Sequence, residues 1–329
     1  MPVRHNILTN QAARDNYVRG VQLLKHDFTG PTTRDFGIAG KQRPISTYDL
    51  FIVWHHFAMS TLTPPSQQDR NAAHRGPVFL PWHRFMLLQF EMNLQRVLQD
   101  STFGLPYWDW ATDGELDPEK QKSSEIWNVN YMGGSGSPVS TGPFAYEGHD
   151  PNTWTVNLAA NVSGVLTQVK RGLKRNLGAR VAGLPNPNRL PRKSDVSIAL
   201  GQTLYDQTPW NSTSQGFRNL LEGWENTATV RSPSMHNRVH IFVGGDMSPS
   251  SSPNDPVFYL NHCNVDRVWE AWMQTPPKGH GRLYVPAQSE PASLRGHRLN
   301  DTLVSLISGS TTPANMLDVS SQYTYDSLT

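Results

Sequence analysis

Two groups of histidines are the residues of this sequence best suited to chemistry. His236 and His240 stand four residues apart, so on a helix their imidazoles share one face with Cβ atoms about 5–6 Å apart. His262 follows further along the chain. Three neutral imidazoles can bind one metal ion and leave coordination positions free for an added ligand. This first group therefore predicts a metal site that can react with a small molecule.

A second group of histidines repeats this arrangement earlier in the chain. His83 lies at the start of a predicted helix and His74 in the loop before it. The third member is either His55 or His56, and because adjacent helix positions point about 100° apart, only one of them can face the site. The spacing leaves that choice open. Two groups of three histidines are typical of a metal site built inside a helical bundle.

The residues around the histidines argue against two other kinds of metal site. A zinc peptidase carries Glu after the first histidine of its pair, whereas Asn237 stands there in this chain. A zinc hydrolase that uses one histidine group stays as an alternative. Cys263 is the only cysteine, so no intramolecular disulfide and no cysteine-based cluster can form. We expect Cys263 to be a small buried residue without a reactive role.

Four helices are predicted to position the histidines. Caps and apolar periodicity place them at 47–60, from Pro81 to about Leu98, at 234–242, and from the Asn254-Asp255-Pro256 segment through Trp272. Thr47 is the expected cap of the first, and Leu50, Phe51, Trp54 and Phe57 are its expected apolar stripe. Segments 111–146 and 184–191 are predicted loops. We predict a mainly α fold, a four-helix bundle wrapped by long loops with little β structure, and a single domain over 1–329.

Composition excludes several classes of partner. The chain has 329 residues with 29 Lys+Arg against 27 Asp+Glu, a balance that is not expected of a nucleic-acid-binding protein. No apolar run approaches the length of about 20 residues that a membrane span requires. The first residues contain no apolar stretch of a secretory signal. We therefore expect small-molecule partners, and the compartment is unassigned: cytoplasmic, or exported after removal of a signal.

Two longer motifs resemble the signatures of a known family. The segment from Ala73 to Phe85, AHRGPVFLPWHRF, resembles the CuA signature of the tyrosinases, which are type 3 copper proteins. The segments 235–245 and 252–269, which contain MHNRVH and SPNDPVFYLNHCNVD, resemble the CuB signature. Ala72 stands where plant and fungal members have a cysteine linked to an imidazole, so the resemblance is to the bacterial branch.

The resemblance implies a cofactor, a ligand set and two catalytic residues. It implies two copper ions per chain with dioxygen as co-substrate, and it selects His55 over His56 through the Tyr48-Asp49-x-Phe51 motif. The implied ligands are His55, His74 and His83 for CuA and His236, His240 and His262 for CuB. Glu222 resembles the glutamate that holds a water in this family, and Asn237 is its partner.

The implied activity is that of a tyrosinase, a dicopper phenol oxidase. Such an enzyme hydroxylates monophenols at the ortho position and oxidises o-diphenols to o-quinones. A catechol oxidase or an o-aminophenol oxidase without strong monophenolase activity is the main alternative, and a haemocyanin-like oxygen carrier is a further one. The resemblance also allows a helper, either a C-terminal domain that covers the site and is removed or a separate copper-delivery protein. The alternative is that the gene simply ends after the tyrosine motif at 323–325.

Other residues have structural interpretations. Tyr323-Thr-Tyr325 resembles the tyrosine motif that closes the catalytic domain, and Arg4 occupies the position of an arginine that packs against it. Asp109 is expected to cap or pair inside the fold. Asp266, one turn after His262, is expected either to orient that ligand or to pair with an arginine, Arg84 or Arg267.

Overall fold

The computed structural model describes residues 1–28, 30–179, 189–224, 234–274, 283–307 and 309–328. Over these residues the protein is mainly helical, as predicted. Its α-helices in chain order are α1 (Gln11–Lys25), α2 (Thr47–Ser60), α3 (Phe79–Leu98), α4 (Trp110–Gly114), α5 (Pro118–Gln121), α6 (Lys193–Leu200), α7 (Phe217–Glu222), α8 (Met235–Val243) and α9 (Val257–Gln274).

The four predicted helices form the centre of the molecule as α2, α3, α8 and α9. Helix α3 packs against α1, α2 and α9, and α8 packs against α9. Buried aromatic side chains fill the space between them: the Trp54 and Trp82 rings lie 5.4 Å apart, and Phe90 stacks on Tyr259 at 3.5 Å. Aromatic pairs of this kind contribute beyond their buried area. The resulting helical core holds both histidine groups.

The helix starts differ in detail from the predictions. Ser46, not Thr47, caps α2, because the Ser46 side chain accepts a hydrogen bond from the Asp49 amide at 3.1 Å. Helix α3 begins at Phe79, so Pro81 is its third residue and not its first. Proline is tolerated there because the first-turn N–H groups have no partner within the helix.

The ends of the other two helices agree with the predictions to within a residue or two. Ser234 precedes α8 as its N-cap residue, so the helix itself spans Met235–Val243. Asp255 acts as the predicted Asx cap of α9, since its Oδ1 accepts a hydrogen bond from the Val257 amide at 3.0 Å. One member of the α2 stripe was placed wrongly: Phe57 is 44% exposed, while Phe51 and Trp54 are buried.

The β structure is small, as expected. Strand β1 (Val3–Arg4) pairs in parallel with β4 (Thr324–Tyr325), and β2 (Val156–Ala160) forms an antiparallel hairpin with β3 (Leu166–Arg171). The predicted loop at 111–146 contains the short helices α4 and α5, and 184–188 of the second predicted loop lies outside the described residues. Among the helices that the structure describes, none combines the length and apolarity needed to cross a bilayer.

Candidate metal centre

Two groups of three histidines meet in the core. The first joins α2, α3 and the loop before α3, and the second joins α8 and α9. Within each group the ring nitrogens lie within 4.8 Å of one another, a spacing at which each group could hold a metal ion. The members are those that the sequence predicted: His55, His74 and His83 in one group, and His236, His240 and His262 in the other.

Backbone carbonyls fix the orientation of three of the imidazoles, those of His55, His83 and His240. The Nδ1 atom of His55 lies 2.7 Å from the carbonyl oxygen of Ser250. The Nδ1 atom of His240 lies 2.6 Å from the carbonyl oxygen of Met247. His83 makes the same contact within its own helix at 2.7 Å. A carbonyl can only accept, so Nδ1 carries the proton and the Nε2 lone pair is left for a metal ion.

The Nε2 atoms point at each other, and this arrangement fits a bound cation. The Nε2 atoms of His55 and His74 are 3.2 Å apart, and those of His236 and His262 are 3.1 Å apart. The Nε2 atom of His83 is buried without a hydrogen-bond partner among the described residues. Converging lone pairs repel one another, and a metal ion between them turns that repulsion into coordination.

The two groups are direct neighbours. The rings of His83 and His262 stack with centroids 4.2 Å apart, and those of His74 and His236 are 5.8 Å apart. Two ions held this close can act on one substrate together, as in other two-metal sites.

Burial keeps five of the six imidazoles neutral. It lowers the pKa of His240 to about 4, and the backbone hydrogen bond to Met247 opposes that shift only partly. Burial, helped by the neighbouring imidazoles, also holds the pKa values of four other ligand candidates well below their ordinary range: His55, His83, His236 and His262. Neutral imidazole is the form that binds metal ions, so these side chains need not lose a proton first.

A short turn holds His74, the one ligand candidate that lies outside a helix. The Asn71 side-chain oxygen accepts hydrogen bonds from the amides of Ala73 at 3.1 Å and His74 at 2.7 Å. Sequence analysis missed Asn71, although an Asn three residues before a loop histidine is a recognisable Asx-turn signal. It also missed Ser250, whose carbonyl orients His55.

Glu222 lies at the end of α7 against both groups. Its Oε1 accepts a hydrogen bond from the Arg75 amide at 2.7 Å and is 3.5 Å from Nδ1 of His74. Its Oε2 accepts from Arg218 at 3.0 Å, and its backbone carbonyl is 3.2 Å from Nδ1 of His236. Burial alone would raise the pKa of Glu222, but His74, Arg218 and the Arg75 amide outweigh it and lower the pKa. The carboxylate is therefore ionised, and it is fully buried.

Asn237 lines a cavity that reaches the histidines from the surface. Its Oδ1 lies 3.0 Å from Nδ1 of His236. The cavity has a volume of about 260 Å³, which is near the lower end of the range for ligand pockets and suits a small molecule. Its lining residues are His55, Met59, His74, Arg75, Trp224, His236, Asn237, His240, Ile241, Ser248, Pro249 and Ser252. Glu222 is not among them and lies behind His74 and Arg75.

Two other residues lie where sequence analysis placed them. His56 is turned away from the metal groups and its Nδ1 lies 2.8 Å from the Ser250 hydroxyl. Cys263 is fully buried, its thiol donates to the Leu105 carbonyl at 3.3 Å, and burial raises its pKa to about 12. The predicted burial of Cys263 is confirmed, and the absence of a reactive role stays a prediction.

The helical core and the paired three-histidine groups define the protein as a type 3 copper protein. The model of the common central domain of tyrosinase matches residues 45–275. A tyrosinase of Streptomyces glaucescens is 38% identical over 283 residues, covering 85% of this chain and 88% of that protein. The chain therefore belongs to the tyrosinase family.

Two further comparisons agree with this assignment. Grixazone synthase of Streptomyces griseus is 38% identical over 301 residues, an alignment that covers 85% of this chain and 90% of that protein. The polyphenol oxidase structure of Thermothelomyces thermophila has the same fold, with a TM-score of 0.71 at 22% identity over 99% of this chain and 88% of that one. The chain is thus a copper-dependent phenol oxidase with two copper ions and dioxygen as co-substrate, as predicted.

Proposed function

We propose that this enzyme hydroxylates monophenols at the ortho position and oxidises the resulting o-diphenols to o-quinones. The observation that carries the proposal is the set of Nε2 atoms that converge in two groups beside a cavity open to solvent. In this proposal the ligands of the two copper ions are His55, His74 and His83 for CuA and His236, His240 and His262 for CuB.

The copper ions, when bound, supply the oxidation of the phenol by dioxygen. The chain itself must hold the ring at the histidines and remove the proton of the phenol hydroxyl, whose ordinary pKa is about 10. The half-buried side chains of Met59, Trp224, Ile241 and Pro249 give the cavity an apolar wall for the ring.

We assign the proton transfer to a water held by Glu222 and Asn237. Asn237 faces the cavity, and its amide oxygen and the Glu222 carbonyl both approach Nδ1 of His236, so the two residues are neighbours. The Glu222 carboxylate is kept ionised by its surroundings and can polarise a water placed between them. A monophenol depends on this base more than a catechol does, because a catechol is the stronger acid.

Initial rates on a monophenol, a catechol and an o-aminophenol test the proposal. We expect turnover of all three classes, including a monophenol such as tyrosine. Turnover of the catechol alone would reassign the enzyme as a catechol oxidase, and a preference for the o-aminophenol would make it an o-aminophenol oxidase. Arg75 and Ser248 at the rim of the cavity are exposed among the described residues, and this exposure supports an oxidase over an oxygen carrier.

The proposal also includes a helper for this site. The apolar side chains at the cavity wall offer a surface on which a covering domain or a copper-delivery protein could seat. Copper uptake by the isolated apoprotein tests whether a helper is required. If the protein takes up two copper ions from solution at the same rate with and without a candidate helper, no helper is needed.

A further inference from the structure

Arg75 occupies a distinctive place at the mouth of the cavity. It follows His74 directly, its side chain is exposed, and it lines the cavity together with Trp224. Its backbone has φ of +63°, the left-handed region that residues other than Gly, Asn and Asp seldom adopt. The hydrogen bond from its amide to Glu222, at 2.7 Å, holds this conformation and fixes the origin of the side chain beside the metal site.

Among the described residues, the charge of Arg75 has no opposite charge where it meets the cavity. Among the lining residues that the structure describes, it is the only one with a permanent charge. Its guanidinium makes no ion pair with any carboxylate of the described ranges, and its carbon Cζ lies 5.8 Å from the centroid of the Trp224 ring. By contrast, the buried Arg84 and Arg218 each pair with carboxylates. The guanidinium of Arg75 is thus available to a ligand.

The chemistry of this pair indicates what it would bind. A guanidinium offers parallel N–H donors that match the two oxygens of a carboxylate. The indole of Trp224 beside it provides an apolar contact for the carbon chain that joins a carboxylate to a ring. His74, which directly precedes Arg75 in the chain, belongs to the first histidine group, so the metal site adjoins this pair.

We propose that Arg75 is a specificity-determining residue that binds the carboxylate of phenols with an acidic para side chain. The proposal rests on the proposed function, because it takes the cavity as the phenol site. Arg75 selects such phenols through KM, since the contact forms in the bound substrate and takes no part in the oxidation of the ring.

Kinetics on a matched substrate pair provide the first test. The pair is 3-(3,4-dihydroxyphenyl)propanoate and its methyl ester, two catechols that differ in charge and do not require monophenol hydroxylation. In Arg75→Met we expect the ratio of KM for the acid to KM for the ester to rise about 5- to 10-fold, the scale of one hydrogen-bonded charge at a partly exposed site. Arg75→Lys should restore part of the preference for the acid.

A matched control removes a positive charge elsewhere. Lys170 is exposed on β3 and does not line the cavity, so Lys170→Met should leave the ratio of the two KM values unchanged. An equal effect of both methionine variants would show that only the net charge matters. An equal rise of KM for acid and ester in Arg75→Met would show that Arg75 shapes the cavity without recognising charge. Either result overturns the proposal.

A binding measurement separates this inference from the oxidase activity. Copper-loaded protein is titrated calorimetrically with 3-phenylpropanoate and with 3-phenylpropanamide, neither of which has a phenol to oxidise. We expect the acid to bind more tightly than the amide and to lose that advantage in Arg75→Met. Unchanged acid binding in the variant would place the carboxylate elsewhere, for example on the metal, and would overturn the proposal even if both catechols are oxidised. Retained selectivity for the acid with no oxidation would instead refute the proposed function.

Discussion

At the scale of single residues, hydrogen bonds to Nδ1 restrict the rotation of most ligand imidazoles. Nδ1 of His236 lies between two acceptors, the Glu222 carbonyl at 3.2 Å and the Asn237 side-chain oxygen at 3.0 Å. Such contacts to the second nitrogen fix the tautomer and the direction of the metal-binding nitrogen. The site is therefore preorganised by the residues around the ligands as much as by the ligands themselves.

Replacing Glu222 tests the proposed base. Glu222→Gln keeps the shape of the side chain and removes its charge, and Arg218 retains its ion pair with Asp206 at 2.8 Å. We expect monophenol turnover to fall by ~10²–10⁴, the usual contribution of general-base catalysis, with a much smaller fall on a catechol and unchanged copper content. Steady-state rates on both substrates provide the measurement.

Asn237→Asp is the companion variant for this test. It keeps a group that can hold the water while changing its charge, so its effect on monophenol turnover should be smaller than that of Glu222→Gln. Equal losses on monophenol and catechol in Glu222→Gln would show that Glu222 supports the fold or the copper ions, and the base would have to be sought in another residue.

Cys263 should carry a free thiol. Its sulfur is fully buried against the Leu105 carbonyl, and Ala72 stands at the position from which the family crosslink would come. The intact mass of the denatured, copper-free protein should equal that of the unmodified sequence, and a thiol reagent should label one site. A mass lower by two hydrogen atoms, together with no labelling, would reveal an unexpected bond between sulfur and imidazole.

At the scale of elements, Asp266 ties the metal-bearing helices to the chain ends. Its carboxylate accepts from Arg84 of α3 at 2.5 Å and from Arg4 of β1 at 3.1 Å. The hydroxyls of Tyr323 and Tyr325 donate to it at 2.5 and 2.6 Å. Of the two roles expected for Asp266, pairing with Arg84 is confirmed.

The other role expected for Asp266, orienting the ligand His262, is not observed. Nδ1 of His262 has no hydrogen-bond partner among the described residues, so Asp266 does not orient that ligand. Arg267, the other arginine considered, bonds to Asn264 at 3.0 Å and lies 3.7 Å from Asp109. The Arg4 guanidinium stacks 3.4 Å from the centre of the Tyr323 ring, which confirms the packing expected for the tyrosine motif.

Removing the charge of Asp266 should therefore destabilise the fold. Asp266→Asn removes the charged acceptor that Arg84, Arg4 and the two tyrosines share, while Arg84 keeps Glu270 and Arg4 keeps Glu91 as a partner. Loss of a hydrogen bond to a charged group costs about 1.5–3 kcal/mol. We expect Tm to fall by a few degrees in thermal unfolding. Asp117→Asn is the control, because the Asp117 side chain is 81% exposed and its loss should change Tm little. An unchanged Tm in Asp266→Asn would mean that the network does not hold the helices together.

The helices that carry the ligands could be predicted from sequence because their apolar residues recur at helical spacing. Helix α1 was missed, although Asn10 caps it through the Ala13 amide at 2.9 Å and its buried residues Tyr17, Val21 and Leu24 keep the same period. Charged and polar residues between these positions of α1 obscure the apolar stripe in the sequence. The contact of Ser250 with His55 could not be predicted, because it joins two segments far apart in the chain that the fold brings together. The Asn71 turn, by contrast, is local and was overlooked.

At the scale of the whole molecule, the pairing of β1 with β4 places the two described ends of the chain side by side. Val3 pairs with Thr324 and Arg4 with Tyr325. Contacts between the first and last strands support one domain over 1–329, which stays a prediction. Within this fold, four helices and one loop place six imidazoles in one site.

Copper content per chain tests the central claim most directly. We predict two copper ions in the copper-loaded wild-type protein, about one in His240→Ala, and two in His56→Ala, whose Nδ1 lies 2.8 Å from the Ser250 hydroxyl and which belongs to neither histidine group. His240→Ala should also abolish oxidase activity, because the two ions must act together. Metal analysis of the three folded proteins decides the matter: two ions in His240→Ala, or a missing ion in His56→Ala, would contradict the assignment of the ligands.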